Sequence, residues 1–231
     1  MKNRRYFLKK SGLAFTGLAF YNSISAKSYR KILGSNDRIN IAFQGLGRRI
    51  PGLLIGAVSQ KNIEVSYLCD VMDDQILKAS KRLFNLTGKK AKSEKNIHRI
   101  FDDSDVDAII MATPDHWHAQ PAIEAALANK HVYLQKPTSL TIEEGRLLST
   151  IVQEQKITLQ VGTQQRSSPQ FKFAAELVRN GRIGKIHTVK VGLPGDPPGP
   201  VAQMEAVPAD LNFDAWLGST PAMDYSEMLV H

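Results

Sequence analysis

The sequence predicts an α/β chain organised on a doubly wound parallel sheet, and three observations predict it. Short β-rich runs alternate with segments of helical apolar spacing between Ile39 and Val161, the order that lays helices on both faces of a parallel sheet. A glycine turn, Gly45-Leu46-Gly47, joins the first run to the first helical segment. Polar or glycine residues close successive runs at Gly45, Asp70, Thr113, Lys136 and Gln164, and such sheets bind ligands at the carboxyl ends of their strands.

The chain opens on a basic leader. The protein has 231 residues and a formal charge of +8, a balance that first suggests nucleic acid. Position removes that reading. Eight of the 30 basic residues lie within the first 31 positions, where there is no acid, which leaves 22 basic residues to set against 22 acidic ones. No basic stripe with interleaved aromatics follows, so nucleic acid is not an expected partner. Asn3-Arg4-Arg5-Tyr6-Phe7-Leu8-Lys9 resembles a bacterial twin-arginine signal, with Asn where Ser or Thr is usual. An apolar stretch from Leu13 to Tyr21 and small residues at Ser23, Ser25 and Ala26 complete the pattern of a cleaved export segment. The stretch is too short to span a membrane. The expectation is export of a folded protein to the periplasm. The single cysteine, Cys69, lies in an apolar run and has no internal partner for a disulfide.

The first strand is expected at Ile39 to Phe43. The glycines that follow allow a sharp turn and a close approach of phosphate to the backbone, and a helix start there turns N–H groups toward it. Leu46 and Arg48 belong to this turn, with Arg48 and Arg49 placed to assist in holding phosphate. The third glycine of G-x-G-x-x-G would fall at position 50, which is Ile50; Gly52 is two places late. Pro51 suits the first turn of a helix. Ile63 to Cys69 is a second strand, ending at Asp70. An acid at that place accepts both hydroxyls of an adenosine ribose and repels a 2′-phosphate. Val71 and Met72 supply no cation for such a phosphate, so NAD is favoured over NADP. The same acid, with Asp73 and Asp74, also suits a helix start, and both roles hold together.

Asp73 to Leu86 reads as a helix, and Lys89 to Lys95 as a basic, solvated loop. Asp107 to Ala112 is a continuous apolar run, as in a strand buried on both faces. It ends in Thr113-Pro114-Asp115-His116-Trp117-His118, followed by a helix from Ala119 to Ala128. The spacing of Asp115, His116 and His118 is not that of a usual zinc site, and no metal is expected. His131 to Leu134 is a strand ending in Gln135-Lys136-Pro137. Thr141 to Gln155 is a helix, Thr158 to Val161 a strand, Pro169 to Asn180 a helix and Lys185 to Gly192 a further strand.

At these residues the chain resembles the Gfo/Idh/MocA family of NAD(P)-dependent oxidoreductases. The resemblance rests on the glycine turn, Cys69-Asp70, TPDHWHA at Thr113 to Ala119, Lys136-Pro137, GTQQR at Gly162 to Arg166, AELVRNGRIGKI at Ala175 to Ile186, and Asp214-Ala215-Trp216-Leu217-Gly218. It implies a Rossmann-type domain over 36–163, after a leader and linker over 1–35. Residues 164–231 would begin a second α/β domain with a mostly antiparallel sheet, which carries substrate contacts and homo-oligomer contacts. It implies NAD as cofactor and a sugar, inositol or related polyol as substrate. Gly45, Leu46, Gly47, Arg48, Asp70, Thr113, Pro114, His118, Gln135, Lys136 and Gln164 would line the cofactor. Lys136 would lie by the nicotinamide and the reacting hydroxyl, where an ammonium orients the oxygen that exchanges a proton during hydride transfer.

Two departures from the family pattern bear on activity. Gln135 stands where the family has glutamate, so Lys136 loses a charged neighbour while a hydrogen-bonding group is kept. The second domain would need roughly 100 or more further residues by ordinary domain size. Two other readings therefore stand beside the oxidoreductase: a catalytically silent dinucleotide- or sugar-binding protein, and an NAD-dependent glycosidase of the kind known among relatives of the family.

Overall fold

The computed structural model describes residues 38–193, 195 and 203–230. The leader, where an export signal is expected, lies outside them. Six strands form one wholly parallel sheet in the order β3-β2-β1-β4-β5-β6. The strands are β1 (Ile39–Gln44), β2 (Ile63–Cys69), β3 (Lys92–Glu94), β4 (Ala108–Met111), β5 (His131–Gln135) and β6 (Leu159–Gly162). Between them run α1 (Ile50–Val58), α2 (Asp73–Thr87), α3 (His98–Phe101), α4 (Ala119–Leu127) and α5 (Ile142–Gln155). After the sheet come α6 (Pro169–Arg179), α7 (Phe213–Leu217) and α8 (Glu227–Val230).

The period-2 alternation of the strands divides the core into two layers. Ile41 and Phe43 of β1 pack with Ile50 and Leu54 of α1 and with Ile76, Ala79 and Leu83 of α2. On the opposite face, Ala42, Ile109, Met111, Val132 and Leu134 pack with Ala122 and Ala125 of α4 and Leu148 of α5. A bulge adjusts β2: Ile41 pairs with Val65 but Ala42 with Tyr67, so Ser66 is an extra residue. Val65 and Leu68, three apart, therefore both enter the first layer. α5 is fixed at its start by a reciprocal cap, in which Thr141 Oγ1 accepts from Glu144 N at 3.2 Å and Glu144 Oε2 accepts from Thr141 N at 3.0 Å.

Two sequence expectations are corrected. The segment Lys89 to Lys95, read as a loop, contains β3, which pairs with β2 through Tyr67, Leu68 and Cys69. Its residues Lys92, Ser93 and Glu94 show no apolar alternation because it is an edge strand, where charge discourages pairing with other chains. Lys185 to Gly192, read as a strand, is not one. Val189 and Val191 alternate as a strand's residues do, yet both are exposed. No strand among the described residues lies beside them, and a strand exists only through a hydrogen-bonded neighbour. α6 likewise buries none of its residues, with Phe171 57% and Phe173 62% exposed. Beyond β6, the described residues hold helices, turns and a single antiparallel bridge, Met72 with Leu211, and no second sheet.

Candidate cofactor and active site

The site begins where the sheet changes direction. β1 lies between β2 and β4, so the connections from β1 and from β4 leave toward opposite edges and open a crevice at their carboxyl ends. Gly45 sits at this point with φ +77°, and a Cβ there would lie 2.6 Å from Thr113 N and 2.7 Å from Ala112 C. Only glycine lets the two strand ends approach so closely. Gly47 is different, since a Cβ there would meet nothing within 4 Å. The space over Gly47 is open to a ligand. Ile50 opens α1 and is buried against the first core layer, so the helix meets the sheet through a side chain where a third glycine would have allowed backbone contact. α1 has no side-chain cap and no acidic residue in its first turn, so no carboxylate of the helix itself occupies its positive end. Arg48 is exposed beside it. Arg49 is half-buried, and its Nε is buried without a hydrogen-bond partner.

Asp70 ties this turn to β2. Its Oδ2 accepts from Leu46 N at 2.6 Å and its Oδ1 from Met72 N at 3.0 Å. The helix that follows is capped at Met72 with no side-chain cap, so Asp70 acts just ahead of the helix start, through the Met72 N–H, and a carboxylate oxygen can accept more than one hydrogen bond. Burial pushes the Asp70 carboxyl above the ordinary aspartate range, against the pull of hydrogen bonds from Leu46, Met72 and Val71. Burial, followed by the charges of Asp70 and Glu94, pushes the neighbouring Cys69 thiol up to about 12.

The loop after β4 is braced from within. Thr113 Oγ1 donates to Trp117 O at 2.9 Å, and Trp117 N donates to Pro114 O at 2.9 Å. His118 is only 1% exposed. Its Nε2 faces Thr113 O at 2.9 Å and its Nδ1 faces Pro137 O. Both ring nitrogens face main-chain carbonyls, and since a carbonyl only accepts, a ring with one N–H donates to one of them and packs against the other. The buried ring, expected to line the cofactor, instead lies inside the loop, between Thr113 and the Pro137 turn that bears Lys136.

At the end of β5, Gln135 is 8% exposed, and its Oε1 is buried without a partner. Its Nε2 lies 3.5 Å from Gln164 Oε1, a weak contact. Gly162 of β6 makes room for it, because a Cβ on Gly162 would lie 2.6 Å from Gln135 Oε1 and 2.8 Å from the Tyr133 hydroxyl. Lys136 is exposed, and the bond to Pro137 is cis. Gln164 is exposed at the first turn after β6. The structure thus gathers Gly45, Leu46, Gly47, Arg48, Asp70, Thr113 and Pro114 about the crevice. Gln135, Lys136 and Gln164 form a second group, at the ends of β5 and β6. Among the described residues no group of His, Cys, Asp and Glu could hold a metal ion.

One part of the site was not foreseen. Residues 208–226 return to the sheet and lie against both sides of the crevice. On the β2 side, Asn212 N donates to Val71 O and Asp73 N to Asp210 O, each at 3.0 Å. Met72, Leu211, Phe213, Leu217 and Tyr225 form a third apolar cluster there. On the β4 side, Trp117 Nε1 donates to Trp216 O at 2.9 Å, and His116 Nε2 lies 2.8 Å from the same oxygen. A carbonyl only accepts, so this contact requires the proton of His116 on Nε2. The sequence signal is the segment Asp214 to Gly218, a family feature whose place in the fold no local spacing gives.

A glycine turn and a strand-end acid, joined by a hydrogen bond at the switch point of a parallel sheet, define a dinucleotide-binding α/β domain. Residues 39–163 match the family model of the Gfo/Idh/MocA oxidoreductases, an oxidoreductase family with an NAD-binding Rossmann fold. The chain belongs to that family. A glycosyl hydrolase family 109 protein of Shewanella pealeana is 26% identical over 203 residues, covering 80% of this chain and 44% of that protein. The myo-inositol 2-dehydrogenase of Thermotoga maritima is 28% identical over 159 residues, covering 66% of this chain and 44% of the enzyme. Among solved structures, the WlbA dehydrogenase of Bordetella pertussis in complex with NADH and UDP-GlcNAcA matches with a TM-score of 0.56 at 28% identity, over 65% of this chain and 42% of that one. The chain spans less than half the length of each of these three proteins.

Proposed function

We propose that the chain is the cofactor-binding part of an NAD-dependent oxidoreductase that moves hydride between a nicotinamide and a sugar, inositol or related polyol. The observation that carries this reading is the linkage of the strand ends: Leu46 to Asp70, Gly45 packed on Thr113, and His118 joining Thr113 to Pro137 beside Lys136. The residues present fit NAD. The open space over Gly47 and the uncapped start of α1 suit a pyrophosphate, Asp70 suits ribose hydroxyls, and Val71 and Met72 place no cation beside it for a 2′-phosphate. When bound, the nicotinamide supplies the hydride acceptor or donor. Lys136 holds the reacting oxygen by a charge-assisted hydrogen bond, and Gln135 stands behind it as a neutral neighbour.

Titration of the protein with NAD, followed by tryptophan emission and calorimetry, tests the cofactor assignment, and absence of a saturable response would overturn it. Hydride transfer is tested by absorbance of reduced cofactor over a panel of inositols and sugars, with Lys136→Ala as control. Loss of turnover with NAD affinity retained is expected of Lys136. Binding of NAD with no turnover on any member of the panel would favour the silent binding protein. The glycosidase reading is favoured by the 80% coverage in the match to the family 109 protein, and release of an aryl glycoside's leaving group that depends on NAD without net reduction would identify it. Export is a further part of the proposal, supported by Asn3-Arg4-Arg5 and the apolar stretch after it. Replacement of both arginines by lysine should hold the protein in the cytoplasm, and unchanged recovery from the periplasm would refute the signal.

A further inference from the structure

The junction between the 208–226 segment and the loop after β4 has more specific chemistry than a packing contact needs. Two side-chain donors from adjacent residues, His116 and Trp117, converge on one carbonyl, that of Trp216. The Trp117 indole lies directly against Gly218, which has φ +56°, and a Cβ there would sit 2.3 Å from the ring. Behind the indole, the main chain of Trp117 accepts from Thr113 Oγ1. Thr113 O in turn faces His118, whose other nitrogen faces Pro137. A continuous set of contacts therefore runs from Trp216 and Gly218, through Trp117, to the turn that carries Lys136. The other anchor of the same segment lies at Val71 and Asp73, beside Asp70.

We propose that Trp117 is a positioning residue, gripped by the Trp216 carbonyl and Gly218, and that it sets the Thr113–His118 loop for the nicotinamide end of the cofactor. The inference rests on the NAD-binding reading above and adds that the 208–226 segment governs one end of the cofactor separately from the other. Trp117→Phe keeps an aromatic ring and removes the N–H. Gly218→Ala drives a methyl group into the indole.

The test measures the affinities of NAD and of AMP, which carries only the adenosine phosphate end, by calorimetry on the wild-type chain and both variants. NAD affinity should fall by about two- to tenfold in Trp117→Phe, the effect expected from one lost hydrogen bond. AMP affinity should stay within about twofold, inside the span of a fraction of a kcal/mol. Gly218→Ala should lose at least as much NAD affinity, with AMP again unchanged. A general loss of stability would weaken both ligands together, and that result would overturn the inference, as would NAD affinity unchanged in both variants. Should Gly218→Ala fail to fold, Trp117→Phe alone decides the matter. If the wild-type chain binds AMP and not NAD, the cofactor reading itself fails; if it binds NAD and the variants match it, only the positioning role fails.

Discussion

Replacement of Gly45 by alanine should cost the fold more than replacement of Gly47, although both belong to one turn. At Gly45 an alanine would hold φ +77° and place its Cβ 2.6 Å from Thr113 N and 2.8 Å from Ala112 O. The left-handed conformation costs an L residue about 1–2 kcal/mol. The atoms in the way belong to backbone at the end of a central strand and yield only by moving β4, an overpacking cost of about 1–3 kcal/mol. Together these amount to about 2–5 kcal/mol, a large part of the roughly 5–15 kcal/mol that keeps a domain folded. For a chain of this size that lowers Tm by about 4–20 °C. At Gly47 a Cβ meets nothing within 4 Å, and stability should change by no more than about 0.5 kcal/mol. The cost there should appear in NAD affinity, because the methyl group would occupy the space proposed for pyrophosphate. Thermal and urea unfolding by far-UV circular dichroism, with NAD calorimetry on the same proteins, separates the two. An unchanged Tm in Gly45→Ala, or an equal loss in Gly47→Ala, would refute this division between a glycine held by protein and one held by ligand.

Restoring the missing glycine by Ile50→Gly should destabilise the chain by about 3–5 kcal/mol, because it empties a buried site and loosens a helix start; urea unfolding with no shift in midpoint would contradict the packing role. NAD affinity should be lost as pH falls through the raised pKa of Asp70, starting above the ordinary aspartate range. The stability effect of this group has the opposite sign. Between the ordinary and the raised value the folded chain binds more protons than the unfolded one, so the contribution of Asp70 falls as pH rises through that window. Calorimetric affinities that stay flat down to acid unfolding would exclude Asp70 from the ribose site. With its pKa pushed to about 12, Cys69 stays a buried thiol at neutral pH and should react with a thiol reagent only as the chain opens, at a rate that rises with urea. Rapid stoichiometric labelling of the native protein would contradict its burial.

The central strands were legible because burial on both faces writes itself into the sequence as unbroken apolar runs, as in Ala108 to Met111. The glycine turn was legible because its conformational demand falls on Gly45 itself. The site's brace was less so. His118 stood out only as a member of a motif, and nothing local shows that its ring joins Thr113 to Pro137. The edge strand at Lys92 was hidden by its charges. The alternation at Val189 and Val191 makes no strand, because strand pairing is a property of two segments and the alternation of one does not supply the other. Docking of the 208–226 segment depends on residues a hundred positions apart, Trp117 and Trp216 among them, and no spacing rule reaches that far.

The chain has two tryptophans, and both lie at the junction where Trp117 meets Trp216 O. Their emission therefore observes one seam of the molecule, while the far-ultraviolet signal comes from helices and strands throughout. If the 208–226 segment separates from the sheet before the sheet melts, the two probes give different midpoints for the same heated sample. A fluorescence melting curve for this protein then measures how firmly that seam is closed, and bound NAD should raise it further than it raises the dichroism midpoint.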